Sequence, residues 1–228
     1  MKLSIIIPTL NEAGQITKLL DYLFASPQAD RLELIIVDGQ SSDNTCYLAR
    51  QAGAKVVVSS ERGRAIQMNK GAEMASGDVL YFLHADTLPP SSFYADIQTA
   101  IQGNVQSGSY RLSFDFNHWF LNLHAWFTRF NASALRYGDQ SLFVSKACFE
   151  KVGGFDDQLL LMEDYEIVKR IRKACYFKVL QKRVITSARR YLANGIFRLQ
   201  VIFYLIYFMH RIGFSQARLL KVYQRLIN

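Results

Sequence analysis

Residues 4–12 read SIIIPTLNE, three isoleucines running into Pro8 and then into Asn11 and Glu12. The run from Leu3 to Ile7 is short, rich in β-branched residues and apolar on both faces, which reads as an interior strand of a mainly parallel sheet. Pro8 lacks an N–H and is expected to end the strand, while Thr9 and Asn11 can bond to backbone and turn the chain. A helix from Glu12 to Phe24 is expected next. The turn then falls at the carboxyl end of a strand, the edge where open α/β sheets bind ligands. Taken alone, these nine residues fit a first strand and an ordinary helix cap equally well.

The pattern recurs downstream. Leu3–Ile7, Glu33–Val37 and Lys55–Val58 read as strands separated by helical patterns, and Asp78–Leu83 is a fourth, after a helical segment at Ala65–Ala75. This βαβαβ order predicts a parallel sheet with right-handed crossovers. Ser107–Phe116 then alternates as an edge or antiparallel strand, and His118–Phe130 is aromatic and amphipathic at helical spacing. Ser141–Ser145 reads as a further strand, Asp164–Cys175 as a charged helix, and Tyr191–Met209 and Ser215–Leu226 as terminal helices. No internal repeat or Pro/Gly-rich linker marks a boundary.

At 228 residues, 50% of them hydrophobic, the chain can bury a full core and is read as one globular α/β domain over 1–190 with a basic, aromatic helical extension over 191–228. The residues before Pro8 lack the apolar stretch of a secretory signal, so a cytoplasmic location is expected. Cys46, Cys148 and Cys175 are odd in number and lack metal-like spacing, which favours reduced thiols. Charge is uneven. Beyond Asp164 there are 14 Lys and Arg against one acid, Glu166, so this tail carries +13 and the remainder −5 of the net +8. Nucleic acid, anionic lipid and a phosphorylated substrate are the partners such an imbalance admits, beside a merely solvated basic face.

Two clusters at strand ends carry chemistry. Val37-Asp38-Gly39-Gln40-Ser41-Ser42-Asp43-Asn44-Thr45 supplies a turn at Gly39, a helix cap at Asp43 and a second carboxylate, Asp38, that capping does not require. A carboxylate there can accept hydrogen bonds from a ribose or a base. The fourth strand ends in Leu83-His84-Ala85-Asp86-Thr87, where Asp86 can hold a hard divalent cation against a diphosphate. His84, two residues earlier, points to the same side of an extended segment, as a ligand, a sugar contact or a strand cap. No G-x-G-x-x-G follows the first strand and no G-x-x-x-x-G-K-[ST] occurs, which argues against dinucleotide dehydrogenases and P-loop enzymes.

Together these clusters resemble glycosyltransferase family 2 on a GT-A fold, over about the first 165 residues. The family's P-x-x-N-E turn is Pro8-Thr9-Leu10-Asn11-Glu12, and its VDDGSxD is Val37 to Asp43, with the first Asp kept and the second lost. Its D-x-D is His84-Ala85-Asp86, so Asp86 inherits the metal role. Gly153-Gly154-Phe155-Asp156 and Met162-Glu163-Asp164 match the GGF and ED region, whose Asp serves as general base. A small bacterial subgroup with GRAxQMNxGA, LHADT and YGDQ motifs is nearer still, matched by Gly63 to Ala72, by Leu83 to Thr87 and by Tyr137 to Gln140.

What the resemblance implies is inverting transfer of a sugar from a UDP- or GDP-linked donor to an acceptor hydroxyl, with Mg²⁺ or Mn²⁺ as cofactor. Asp164 is the expected base, with Glu163 beside it either orienting the acceptor or completing the acidic start of a helix. Pro8, Thr9, Asn11, Glu12 and Asp38 are the expected nucleotide contacts, joined by Arg64, Asn69, His84, Ala85 and Asp86 around the donor. Asp139 and Gln140 are assigned to sugar or acceptor hydroxyls, or to a turn, and Arg189 and Arg190 to phosphate. Two other classes share parts of this pattern. A nucleotidyltransferase would also use a metal but needs a Gly-rich basic loop after the first strand, and a noncatalytic nucleotide-sugar sensor would not need Asp164. The apolar run Val201–Met209 is too short to span a bilayer and reads either as peripheral contact with the inner face of the cell membrane, suited to a lipid-linked or amphiphilic acceptor, or as packing on the domain or in a homodimer. No nucleic-acid partner is expected.

Overall fold

The computed structural model describes residues 1–131 and 140–227. The triple-isoleucine strand, β1 (Leu3–Thr9), lies between β2 (Leu32–Asp38) and β4 (Val79–Phe82), parallel to both, and β3 (Lys55–Val58) pairs in parallel with β2. Three helices make the crossovers: α1 (Ala13–Phe24), α2 (Thr45–Gln51) and α3 (Arg64–Met74). Alternate residues of β1 face different cores, as apolar residues on both of its faces require. Leu3, Ile5 and Ile7 join one cluster with Ile16, Leu19 and Leu20 of α1, whereas Ile6 faces Ala65 and Met68 of α3. Burying each such side chain contributes about 1.5–3 kcal/mol.

The sheet continues through β5 (Thr87–Leu88), β6 (Ser107–Phe114), β7 (Leu142–Ser145) and β8 (Phe177–Thr186), giving eight strands in the order β3-β2-β1-β4-β7-β6-β8-β5. Here the direction changes. β7 runs antiparallel to β4 and to β6, and β5 antiparallel to β8, while β6 and β8 are parallel. The first face is completed by α4 (Phe93–Gln102) and the second by α6 (Lys146–Lys151) and α7 (Glu163–Ala174). This is an α/β fold of the GT-A type, a mainly parallel sheet flanked by helices.

Three expectations are corrected. Pro8 lies inside β1, which runs on to Thr9, because β4 pairs only as far as Ile6 and the missing N–H breaks no ladder on that side. Cys148 and Cys175 are not two free thiols but a disulfide, since packing of α6 on α7 brings their Cα atoms to 6.4 Å. Only Cys46 is free among the described residues. The expected helix at Tyr191–Met209 is divided into α8 (Arg189–Asn194) and α9 (Ile196–Arg211) by Gly195, whose φ of 82° no helix admits.

The last helices, α9 and α10 (Gln216–Leu226), pack on each other, and α9 packs on α5 (Trp119–Phe127). Leu121 of α5 meets Tyr191 and Leu199, and Phe120 meets Phe197 with ring centroids 4.7 Å apart. Among the described residues no helix is long and apolar enough to cross a membrane.

Candidate active site

The carboxyl ends of β1 and β2 are stitched together by polar side chains. Asn11 adopts a left-handed conformation, φ 56°, that lets its side-chain carbonyl accept from Ser42 N–H at 2.9 Å while its own N–H donates to Ser41 Oγ at 2.8 Å. Glu12 N–H donates to Thr45 Oγ1 at 2.8 Å, and Asp43 accepts from the first N–H groups of both helices, Ala13 at 3.1 Å and Thr45 at 3.0 Å. Asp38 is 1% exposed and accepts from Thr9 Oγ1 at 3.0 Å, Ser41 N–H at 2.8 Å and Ser41 Oγ at 2.5 Å. Burial pushes this carboxyl upward, but the bonds from Ser41, Thr9 and Cys46 outweigh it and leave the pKa below its ordinary value. Burial and the same carboxylate raise the Cys46 thiol to about 11, so it stays a neutral donor.

From α3, buried Gln67 donates to the carbonyls of Thr9 at 2.9 Å and Val37 at 2.7 Å, locking the two strand ends at a set separation. Asn69, two residues on, turns the other way. Its amide donates to the Phe155 carbonyl and to Asp157, each at 2.8 Å, and accepts Phe155 N–H at 2.9 Å, fixing the glycine-rich loop before α7. The methyl of Ala85 is buried in the core, so only its backbone remains at the strand end.

Two guanidinium groups bridge these strand ends to later segments. Arg189, at the start of α8, lies 2.5 Å from Glu12 Oε1 and 3.3 Å from Asp86 Oδ2. Its pKa is raised above the ordinary value, first by the bond to Glu12 and further by Asp86, against the opposing effect of burial. Arg64, opening α3, reaches Glu163 Oε1 at 2.6 Å. Glu163 is 1% exposed, and neither of its oxygens has an aligned hydrogen bond, so the contact with Arg64 is ionic rather than a directed bond. Burial raises its pKa, with Arg64 opposing and Asp164 adding to the rise. Its neighbour Asp164 instead lines a cavity of about 390 Å³, together with Arg64, Gln140, Tyr165 and Arg190. The residue before this pair, Met162, holds φ at 71°, a costly conformation for a non-glycine residue, and the two carboxylates, on consecutive positions of a helix, face different surroundings.

Of the phosphate candidates, Arg189 faces the carboxylates while Arg190 lies over the Tyr223 ring of α10 and bonds its hydroxyl. Gln140 is 1% exposed at the cavity wall, and Asp139 lies outside the described residues. His84 is half-buried at the end of β4, near enough to Glu163 to bear on its charge. Among the described residues no three His, Cys, Asp or Glu side chains converge on one point. The donor set is nonetheless suited to a hard cation bound mostly by a diphosphate. It offers Asp86 and, beside it, Glu12, whose buried Oε2 has no hydrogen-bond partner. Sequence reasoning missed Gln67 and Ser41 as organisers of the site, although both stand inside motifs it singled out; a buried amide within a helical apolar face was the available signal for Gln67.

Comparison with known proteins agrees with this architecture. The model of Glycosyl transferase family 2 matches residues 4–149, more than half of the chain, and the chain belongs to that family. A dolichol-phosphate mannosyltransferase of Pyrococcus furiosus is 31% identical over 107 residues, 45% of this chain and 30% of that protein. A 4,4'-diaponeurosporenoate glycosyltransferase of Staphylococcus haemolyticus is 37% identical over 91 residues, 37% of this chain and 24% of the other. The chain therefore spans less than a third of the length of either relative. Among solved structures, a mannosyltransferase from Pyrobaculum calidifontis in complex with GDP-Man and Mn²⁺ has a TM-score of 0.72 at 19% identity, over 98% of this chain and 68% of that one. S. aureus TarS in complex with UDP scores 0.66 at 16% identity, over 99% and 70% of the two chains. These two likenesses speak to fold.

Proposed function

We propose that this family 2 chain transfers a sugar from a UDP- or GDP-linked donor to an acceptor hydroxyl, with inversion at the anomeric carbon. The observation that carries the reading is the shared edge: Glu12, Asp38 and Asp86 stand at the ends of β1, β2 and β4, and Arg64, beside that edge, reaches the head of α7 where Asp164 enters the cavity. Asp164 takes the acceptor's proton as the acceptor oxygen bonds to the anomeric carbon. The bond from that carbon to the donor phosphate breaks on the opposite side, and the diphosphate leaves with the electron pair. Arg189 supplies positive charge beside Asp86, where charge develops on the leaving group. Asp86, with Glu12 beside it, would hold Mg²⁺ or Mn²⁺, which when bound neutralises the same charge. Glu163, buried and held by Arg64, positions the start of α7.

The GDP-Man and UDP held by the two fold neighbours support a donor of this kind, and the basic residues from Arg189 to Arg225 around α9 support peripheral contact with an anionic membrane face. The test is calorimetry with UDP- and GDP-sugars in the presence and absence of Mn²⁺, combined with the anomeric configuration of any product. Asp86→Ala should lose the Mn²⁺-dependent part of donor affinity. A variant that binds the metal–donor complex as tightly as wild type would overturn the metal assignment, and a product with retained configuration would overturn the inverting mechanism.

A further inference from the structure

The cavity that Asp164 enters has an apolar mouth. Its solvent-exposed lining residues include Leu123 and Phe127 of α5 and Tyr204 of α9, and deeper in stand Leu112, Phe203 and Ile206. His124, at the same mouth, is held below its ordinary pKa by burial, so it brings no charge there at neutral pH. Outside the mouth the apolar surface continues over Trp119 and Trp126 on α5 and over Phe197, Val201 and Phe208 on α9, all at least 41% exposed. The polar groups at this mouth are the Tyr204 hydroxyl and the His124 ring, which face each other at 3.2 Å, while Thr128, Gln140 and Gln200 stand on the cavity wall; rings and aliphatic groups make up the rest of the approach.

We infer that the acceptor is an amphiphile, a hydroxyl-bearing head joined to a hydrocarbon chain, whose chain lies between α5 and α9 while its head reaches Asp164. This rests on the transferase reading and names its acceptor class. Three features support a chain of this kind: the continuity of the cavity with the exposed aromatic face, the absence of any acidic side chain at the cavity wall other than Asp164 among the described residues, and a volume of about 390 Å³, within the range of pockets that enclose small ligands. The cationic flank, Arg190 and Arg198 among others, suits delivery from an anionic lipid surface.

The experiment is calorimetry of the full chain, without donor, against n-alkyl β-D-glucosides from butyl to dodecyl below their micelle concentrations. Saturable one-to-one binding is expected, tightening roughly three- to fourfold per added methylene until the cavity is full. Phe127→Glu, and independently the milder Leu123→Gln, should weaken octyl glucoside at least tenfold with unchanged melting temperature, while Phe208→Ser, on the same exposed face but not on the cavity wall, should bind as wild type. Affinity independent of chain length, or affinity lost in Phe208→Ser and kept in Phe127→Glu, would overturn the inference by tracing binding to surface adsorption. Nucleotide-sugar binding measured on the same samples separates the two levels. Donor binding without chain-length dependence refutes the acceptor class alone, whereas no donor binding refutes the reading beneath it.

Discussion

The two sides of the candidate site are built from different materials. On the β1–β2 side, Asn11, Asp38, Ser41, Asp43 and Thr45 bond one another and the neighbouring backbone, and Gln67 holds the carbonyls of Thr9 and Val37, in a dense set of directed hydrogen bonds. On the α5–α9 side, contact is ring against ring and the surface stays apolar out to solvent. Directional bonds hold polar atoms at fixed positions, as recognition of a nucleotide demands, because a displaced donor or acceptor leaves a buried group unpaired. Apolar walls impose volume and shape but little angular restriction. The first side is thereby suited to one invariant ligand portion, the second to a ligand defined by bulk.

The sharpest way to break this division is at its seam, Asp164. Asp164→Asn keeps the shape of the cavity but cannot take a proton, so transfer should fall about 10²-fold or more while donor affinity, assigned to the other side by the proposed function, should be nearly unchanged. Single-turnover transfer and donor titration on the same variant measure the two. Equal loss of both would make Asp164 a donor ligand and erase the division.

A smaller effect is expected inside the polar side from Gly71→Ala. Gly71 lets α3 lie so close to β1 that an added Cβ would stand 2.3 Å from Ile6 Cγ2, and Gln67, one turn earlier, depends on that approach. Overpacking of this kind costs about 1–3 kcal/mol, and each kcal/mol lowers the melting temperature by roughly 2–4 °C in a domain of this size. Donor affinity should fall with it, and binding of alkyl glucosides on the other side should not. Loss of both would mean that α3 supports the two sides alike.

The same contrast explains what the sequence made legible. β1, β2 and the crossovers were readable because burial on both faces leaves a nearly continuous apolar run, interrupted only by Ser4 in β1 and Glu33 in β2, that ends at Pro8 or Asp38, and the carboxylates at strand ends stood where such sheets bind ligands. β8 was overlooked although Phe177, Val179 and Val184 are buried, because the exposed basic residues between them mask the apolar count. The division of α8 from α9 hung on one residue, Gly195. Pairings such as Arg189 with Glu12, 177 residues apart, and Arg64 with Glu163 leave no local pattern, since the sheet rather than the sequence brings them together. The disulfide was missed for that reason too.

The smallest effect concerns which force governs Glu163, and it is read through stability against pH. Burial raises its carboxyl above the ordinary value, so on acidification the folded chain takes up this proton before the unfolded chain does. Between the unfolded value, about 4.3, and the raised folded value, the native state holds a proton that the unfolded state has lost, and wild-type stability therefore falls as pH rises through that window. Above the window the full cost of a buried charge, less the attraction of Arg64, persists. Glu163→Gln has no such proton to lose, and Arg64, 42% exposed, can turn to water. Measured by thermal melts at successive pH values, the variant should gain on wild type as pH rises through the window and hold a constant lead beyond it, by a few degrees at most. A variant that instead loses ground as pH rises would show that the attraction of Arg64 outweighs burial, and would place Glu163 with the fully satisfied carboxylates such as Asp38 on the polar side of the site.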